Sequence, residues 1–236
     1  MKKTITSYQE LAEHKGLLFL AMLYVIITVV PTLFLYRLVQ LGPLIFPGGM
    51  FIFPLIYVLG DVIAEVYGYK VARIIIWYSL ICNFIFAFAI LSVIYLPFPN
   101  GYEHTANNYI FVFEHILRGD VANIFGVLAG GFLNAYILTR WKVFVEGKIF
   151  IIRSFTSSAI GELVMITIWV TIAFSGQLTK GELFHLAVSD YTVRIMYLII
   201  FALPAAGIVR FLKSLDDVDI YDKKTNFNPF NLSLKD

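Results

Sequence analysis

"YVLGDVIAEVYGYK", residues 57–70, sets Asp61 and Glu65 four residues apart in a run that is otherwise apolar and aromatic. On a helix that spacing puts both carboxylates on one face. The rest of the chain decides what kind of helix carries them. Of its 236 residues 59% are apolar and only 14% charged, a balance beyond that of an ordinary soluble domain. The composition is that of a membrane protein. A hydrocarbon core of about 30 Å takes roughly 20 helical residues to cross, so this length holds about six spans with short loops.

The apolar runs place spans near residues 17–39, 50–69, 71–97, 120–139, 154–176 and 187–212. Backbone amides in lipid must bond internally, so the expected fold is all-α. The first run lacks a small-residue cleavage site and reads as a span, not a removable signal. An even number of spans puts both termini on one side. Of the 18 Lys and Arg, all but Arg37, Arg118, Lys180 and Arg194 then flank that side, which the positive-inside rule makes cytoplasmic. Residues 1–215 form one six-helix transmembrane unit and 216–236 a polar cytoplasmic tail, expected to be poorly ordered. Residues 98–119, "FPNGYEHTANNYIFVFEHILRG", are too polar to cross and are expected to lie along the outer interface.

An ionisable group inside a span costs at least about 2.5–3.5 kcal/mol on insertion scales, so each is a functional candidate. Counted inward from Lys70, Glu65 lies roughly 7 Å and Asp61 roughly 13 Å deep; counted from Arg153, Glu162 also lies roughly 13 Å deep. Asp61 and Glu162 are expected to share a level. Glu65 has two readings, a ligand or gate residue and a structural partner of Arg73 or Lys70. Asp190 and Arg194, four apart on the last span, form either a local pair with Arg194 snorkelling outward or a counter-charge facing the bundle interior. Ser158, one turn before Glu162, faces either the site or another helix. Tyr57 is one of several aromatics able to stack on a flat ligand. Pro47, Gly48, Gly49 and Pro54 in "FPGGMFIFP" break the entrance to the second span, and Gly126, Gly130 and Gly131 permit close helix contact in the fourth.

Several chemistries are excluded. The chain has no His-Glu-x-x-His metal motif, no nucleophile–base arrangement and no phosphate loop, so neither an enzyme nor a bound cofactor or metal is expected. Its single cysteine, Cys82, forms no intrachain disulfide and is assigned to packing. A net charge of +2 does not point to nucleic acid. Acids and an arginine at different depths suit a discrete pocket better than a ring-lined pore.

The stretch "FPLIYVLGDVIAEVYGYKVAR", residues 53–73, resembles the vitamin uptake transporter family, also called the queuosine precursor transporters. Its Pro54, Asp61, Glu65, Tyr67, Gly68 and Lys70 match the family's second-span pattern. Residues 152–174 and 189–204 resemble its fifth and sixth spans. The resemblance implies a six-span inner-membrane importer of a 7-deazaguanine-type queuosine precursor, later used for tRNA modification. The partners implied are a small planar deazapurine and the lipid bilayer. A homo-oligomer is allowed, and a partner ATPase is not indicated. The chain departs from the family at Met165, where an Asp is usual, and at Arg194, where a Lys is usual. The substrate-site candidates are Asp61, Glu162, Arg194, Glu65, Tyr57, Ser158 and Asp190. The alternatives are a carrier or substrate-binding subunit for another nucleobase or vitamin, and a non-transporting membrane assembly or sensor protein.

Overall fold

The computed structural model describes residues 14–35, 37–223 and 225–233. Helix α1, Lys15–Val29, tightens into a 3-10 turn, Val30–Phe34, where Pro31 removes a backbone donor. The first helical segment thus ends short of the expected Val39. A small hairpin follows, β1 Leu38–Leu41 antiparallel to β2 Leu44–Pro47, with Leu38 opposite Pro47 and Gly42 at φ 59° in the turn. The fold is mostly helical, as expected, and this short hairpin is its one named sheet among the described residues. Its physical reason lies in the Gly42-Pro43 turn and the prolines that end the flanking helices.

Helix α2, Pro54–Ile94, is broken at Gly68, whose φ of 82° and ψ of 171° are not helical. Tyr57 and Ile76, on either side of the break, line one cavity. In an unbroken helix they would stand roughly 28 Å apart. The chain therefore folds back at Gly68 and its two legs, 54–67 and 69–94, lie side by side. A Cβ on Gly68 would also come 2.8 Å from Ile220 Cγ2, so glycine is needed for both conformation and space.

Helix α3, Glu103–Phe113, has no buried residue and lies within the stretch expected at the interface. Helix α4, Ile116–Gly126, passes through a π turn, Val127–Gly131, into α5, Phe132–Phe144. Helix α6, Phe150–Phe174, packs its Gly161 on the π turn so closely that a Cβ there would lie 2.6 Å from the Gly130 carbonyl oxygen. Helix α7, Lys180–Leu215, opens with a capping box in which Thr179 Oγ1 accepts from Glu182 N and Thr179 N donates to the Glu182 carboxylate.

Five helical segments among the described residues are long and apolar enough to cross a membrane: Gly16–Phe34, Pro54–Ile94, Glu103–Phe144, Phe150–Phe174 and Lys180–Leu215. The fold is inside-out relative to a soluble protein. Phe19, Phe88, Ile199, Leu203 and Phe211 are exposed, whereas Arg73, Arg153 and Arg194 are among the largest fully buried side chains. Cys82, assigned to packing, is exposed on this apolar exterior. Its position on the second leg of α2 faces outward, beside Tyr78 and Ile81.

The described residues of the C-terminal segment, 216–223 and 225–233, carry no helix or strand, yet they are not loose. Ile220 N donates to Val66 O at 3.1 Å, Tyr69 N to Asp222 Oδ2 at 2.9 Å, and Arg73 Nη1 to the carbonyls of Asn226 and Asn228, each at 2.9 Å. Polar composition led to an expectation of poor order. The turn at Gly68 leaves backbone groups of α2 unpaired, and this segment bonds them. Lys224 and residues 234–236 lie outside the described residues, as do Lys2 and Lys3 of the charge count.

Candidate functional site

The polar interior forms three layers along the bundle, starting from the Gly68 end. In the first, Glu65 Oε2 accepts from Arg153 Nη1 at 3.0 Å and Glu65 Oε1 from Lys213 Nζ at 2.9 Å. Lys142 Nζ donates to the Glu65 carbonyl, to Ile220 O at 2.6 Å and to Asp219 Oδ1 at 2.8 Å. The Glu65 carboxylate thus ties α2 to α6 and α7, and Lys142 of α5 adds the C-terminal segment through the Glu65 carbonyl, Ile220 O and Asp219. Burial raises the pKa of Asp219, but hydrogen bonds from Lys142 and Lys213 outweigh it and hold the carboxyl below its ordinary value. The expected partners of Glu65, Arg73 and Lys70, are not the ones found: they follow Gly68 and belong to the other leg of the hairpin.

One turn further in, Asp61 is buried with 1% of its surface exposed. Asn134 Nδ2 donates to its Oδ1 at 2.7 Å, and Ser158 Oγ to its Oδ2 at 2.8 Å. Ser154 Oγ also donates to Oδ2, and Ser158 Oγ reaches Asn134 Oδ1 at 3.3 Å. Three neutral donors from α5 and α6 hold this carboxylate, and no ion pair reaches it among the described residues. Of the two readings of Ser158, the one found has it facing the candidate residue Asp61.

The third layer is charged. Arg194 Nη1 pairs with Glu162 Oε2, and Nη2 with Asp190 Oδ2 at 3.1 Å. Nη1 also lies 3.6 Å from Met165 Sδ, and the guanidinium carbon stands 4.3 Å from the centroid of the Phe53 ring. At 1% exposure Arg194 does not snorkel; it serves as the interior counter-charge. Asp61 and Glu162 do not share a level. The serines that bind Asp61 lie four and eight residues before Glu162 on α6, an offset of roughly 6 Å or more. The first leg ends at Gly68 and not at Lys70, so the count from Lys70 runs past the end of that leg.

Buried polar atoms without a partner among the described residues include Glu162 Oε1 and Asp190 Oδ1 of this layer, Tyr57 Oη on α2, and Asp120 Oδ2 and Asn123 Oδ1 on α4. Leaving a buried acceptor unpaired costs about 1–3 kcal/mol. Two small cavities adjoin the layer. One of about 20 Å³ is lined by Tyr24, Tyr57, Gly60, Ala72, Ile76 and Asn134 among others. The other, of about 40 Å³, is lined by Thr32, Phe53, Asn123, Met165, Trp169 and Arg194 among others. Phe53 and Tyr57, one turn apart with ring centroids 6.5 Å distant, connect the two walls. Each space suits little more than a water, whereas small-molecule sites take upwards of about 300 Å³, so this conformation is closed.

Of the predicted residues, Asp61 meets Ser158, while Glu162, Asp190 and Arg194 meet one another with Tyr57 close by; Glu65 stands apart at the Gly68 end. Sequence reasoning missed Ser154 and the chain Thr32–Asn83–Asp120. There Thr32 Oγ1 donates to Asn83 Oδ1 at 3.1 Å, and Asn83 Nδ2 donates to Asp120 Oδ1. The available signal was Asn83, an amide inside the apolar run "SLICNFIF".

Fold and buried charge together define a multi-pass membrane protein with a polar core. The model of a family described as "Putative vitamin uptake transporter" matches residues 47–209. The chain belongs to this family. No curated protein and no solved structure matches it.

Proposed function

We propose that the chain imports a small planar deazapurine, a queuosine precursor of the 7-deazaguanine type used in tRNA modification, across the cell inner membrane. The observation that carries this reading is the buried Arg194 between Glu162 and Asp190, set against Phe53 and facing a cavity with Trp169. Aromatic faces suit a flat ring. The partnerless acceptors Glu162 Oε1 and Asp190 Oδ1 suit a ligand rich in N–H donors, and the guanidinium suits its carbonyl. Asp61, with its three neutral donors, and Tyr57 form the deeper wall of the same site.

Both legs of α2 cross the membrane in this reading, giving six spans with cytoplasmic termini, as the positive-inside count favours. The Glu65–Arg153–Lys213 cluster is then the closed inner gate. It must part for the base to leave on that side, while the Phe53 end must open for the base to arrive. Thermal shift on detergent-purified protein, comparing deazapurines with ordinary purines and vitamins, tests the substrate class. Selective stabilisation by 7-deazaguanine-type bases supports it, and stabilisation by none overturns it. The family description favours a second reading, in which another vitamin-like ring is carried; stabilisation by a vitamin alone would select it. A pH gradient on proteoliposomes separates a proton symporter, which concentrates the base, from a facilitator, which equilibrates it.

A further inference from the structure

Asp120 and Asn123 lie three residues apart on α4, on one helical face, and neither belongs to the Arg194 ion-pair group. Asp120 is fully buried and Asn123 is 7% exposed. Asp120 Oδ1 takes the amide of Asn83, which in turn takes the hydroxyl of Thr32. This arrangement would serve as a plain clamp between α4, the second leg of α2 and the 3-10 turn after α1, were it complete. It is not complete. Asp120 Oδ2 and Asn123 Oδ1 have no hydrogen-bond partner among the described residues, and Asn123 lines the same cavity as Arg194, Phe53 and Trp169.

Both atoms are acceptors; Asn83 fixes the direction of Asp120, and Asn123 stands on the cavity wall. Asn83 spends its amide on Asp120 Oδ1, so Oδ2 is left for something else. Two acceptors one turn apart match a pair of N–H donors on one edge of a flat ring, such as an exocyclic amine beside a ring N–H. Arg194, on the same cavity wall, supplies donors for a carbonyl at another edge.

We infer that Asn123 and Asp120 form a specificity subsite that accepts hydrogen bonds from the amino edge of the substrate ring while Arg194 donates to its carbonyl. This rests on the planar-base reading proposed above, and it adds which edge faces which helix. A site built to pair with donors discriminates against an analogue that lacks them, because its own acceptors are then left unpaired.

Equilibrium binding to the purified full chain tests this with two probes, 7-deazaguanine and 7-deazahypoxanthine, which differ by the 2-amino group. Wild type is expected to prefer the amino base by roughly tenfold or more. Asn123→Leu and Asp120→Asn should each cut that preference to within about threefold, by weakening the amino base and sparing the other. The Asn variant of Asp120 keeps the shape and covers the case in which the Leu variant does not fold. Equal binding of the two bases by wild type, or a folded variant that keeps the full preference, overturns the subsite alone. Binding of neither base by wild type overturns the planar-base reading and the subsite with it.

Discussion

Arg153 Nη1 lies 3.0 Å from Glu65 Oε2, while the neighbouring Ser154 bonds the carboxylate one turn away, Asp61. Two adjacent residues of α6 thus hold the two acids of the opening motif in different chemical surroundings. Glu65 is surrounded by cations and Asp61 by neutral donors.

Removing Glu65 alone leaves Arg153 buried without its counter-charge, while Lys213 keeps Asp219 at 2.9 Å. Glu65→Ala should cost about 3–5 kcal/mol. The paired change Glu65→Leu with Arg153→Met should recover much of that loss. Thermal melting in detergent of the two single variants and the double variant measures the coupling. Additive losses would show that the pair does not act as a unit.

Gly68 occupies a backbone region reached essentially by glycine, and its missing Cβ leaves room for Ile220. Gly68→Ala should destabilise by about 1–3 kcal/mol from backbone strain alone. It should also displace the C-terminal segment. A melting temperature equal to that of wild type would mean that α2 does not fold back there.

The contact between the C-terminal segment and the Gly68 turn depends on pH through Asp219. Its folded pKa lies below the ordinary 3.8, so its contribution is full above that value and is lost as pH falls through the lower folded value. A cysteine at Ile220 in a Cys82→Ser background should react slowly with a thiol reagent from pH 7 to pH 5, once corrected for thiolate fraction. Asp219→Asn should make it react faster across that whole range. Equal reactivity in both backgrounds would show that Asp219 does not hold the segment.

Much of this was legible in the chain itself. The apolar runs revealed the membrane class and the main helices, and rarity of charge singled out Asp61, Glu162, Asp190 and Arg194. What pattern alone did not reveal was direction. Nothing local says that Gly68 turns the chain by its φ of 82°, and that turn decides why Glu65 meets Arg153 and not Arg73. Asp120 sits at the first position of the expected span 120–139, where a charge is ordinary. Its burial comes from Asn83 on another helix, a contact between residues far apart in sequence. The C-terminal segment looked free because its polar residues have no periodicity; it is held by its carbonyls as well as by Asp219 and Asp222, and composition encodes none of these contacts. Met165 reads as a loss of polarity, yet its sulfur remains 3.6 Å from Arg194 Nη1.

Asp61→Asn and Glu162→Gln separate site from scaffold. Each keeps side-chain size and removes a charge. Uptake should fall at least about tenfold, equivalent to about 1.4 kcal/mol, while a cooperative melt shows that each variant is still folded. Wild-type uptake by both variants would remove these residues from the site.

The most direct measurement is uptake of radiolabelled 7-deazaguanine-type base by proteoliposomes containing the purified wild-type chain and no other protein. The account predicts saturable uptake above that of empty liposomes, reduced by excess unlabelled deazapurine and lost in Asp61→Asn. Uptake no greater than in empty liposomes, from protein shown to be folded and inserted, would contradict it.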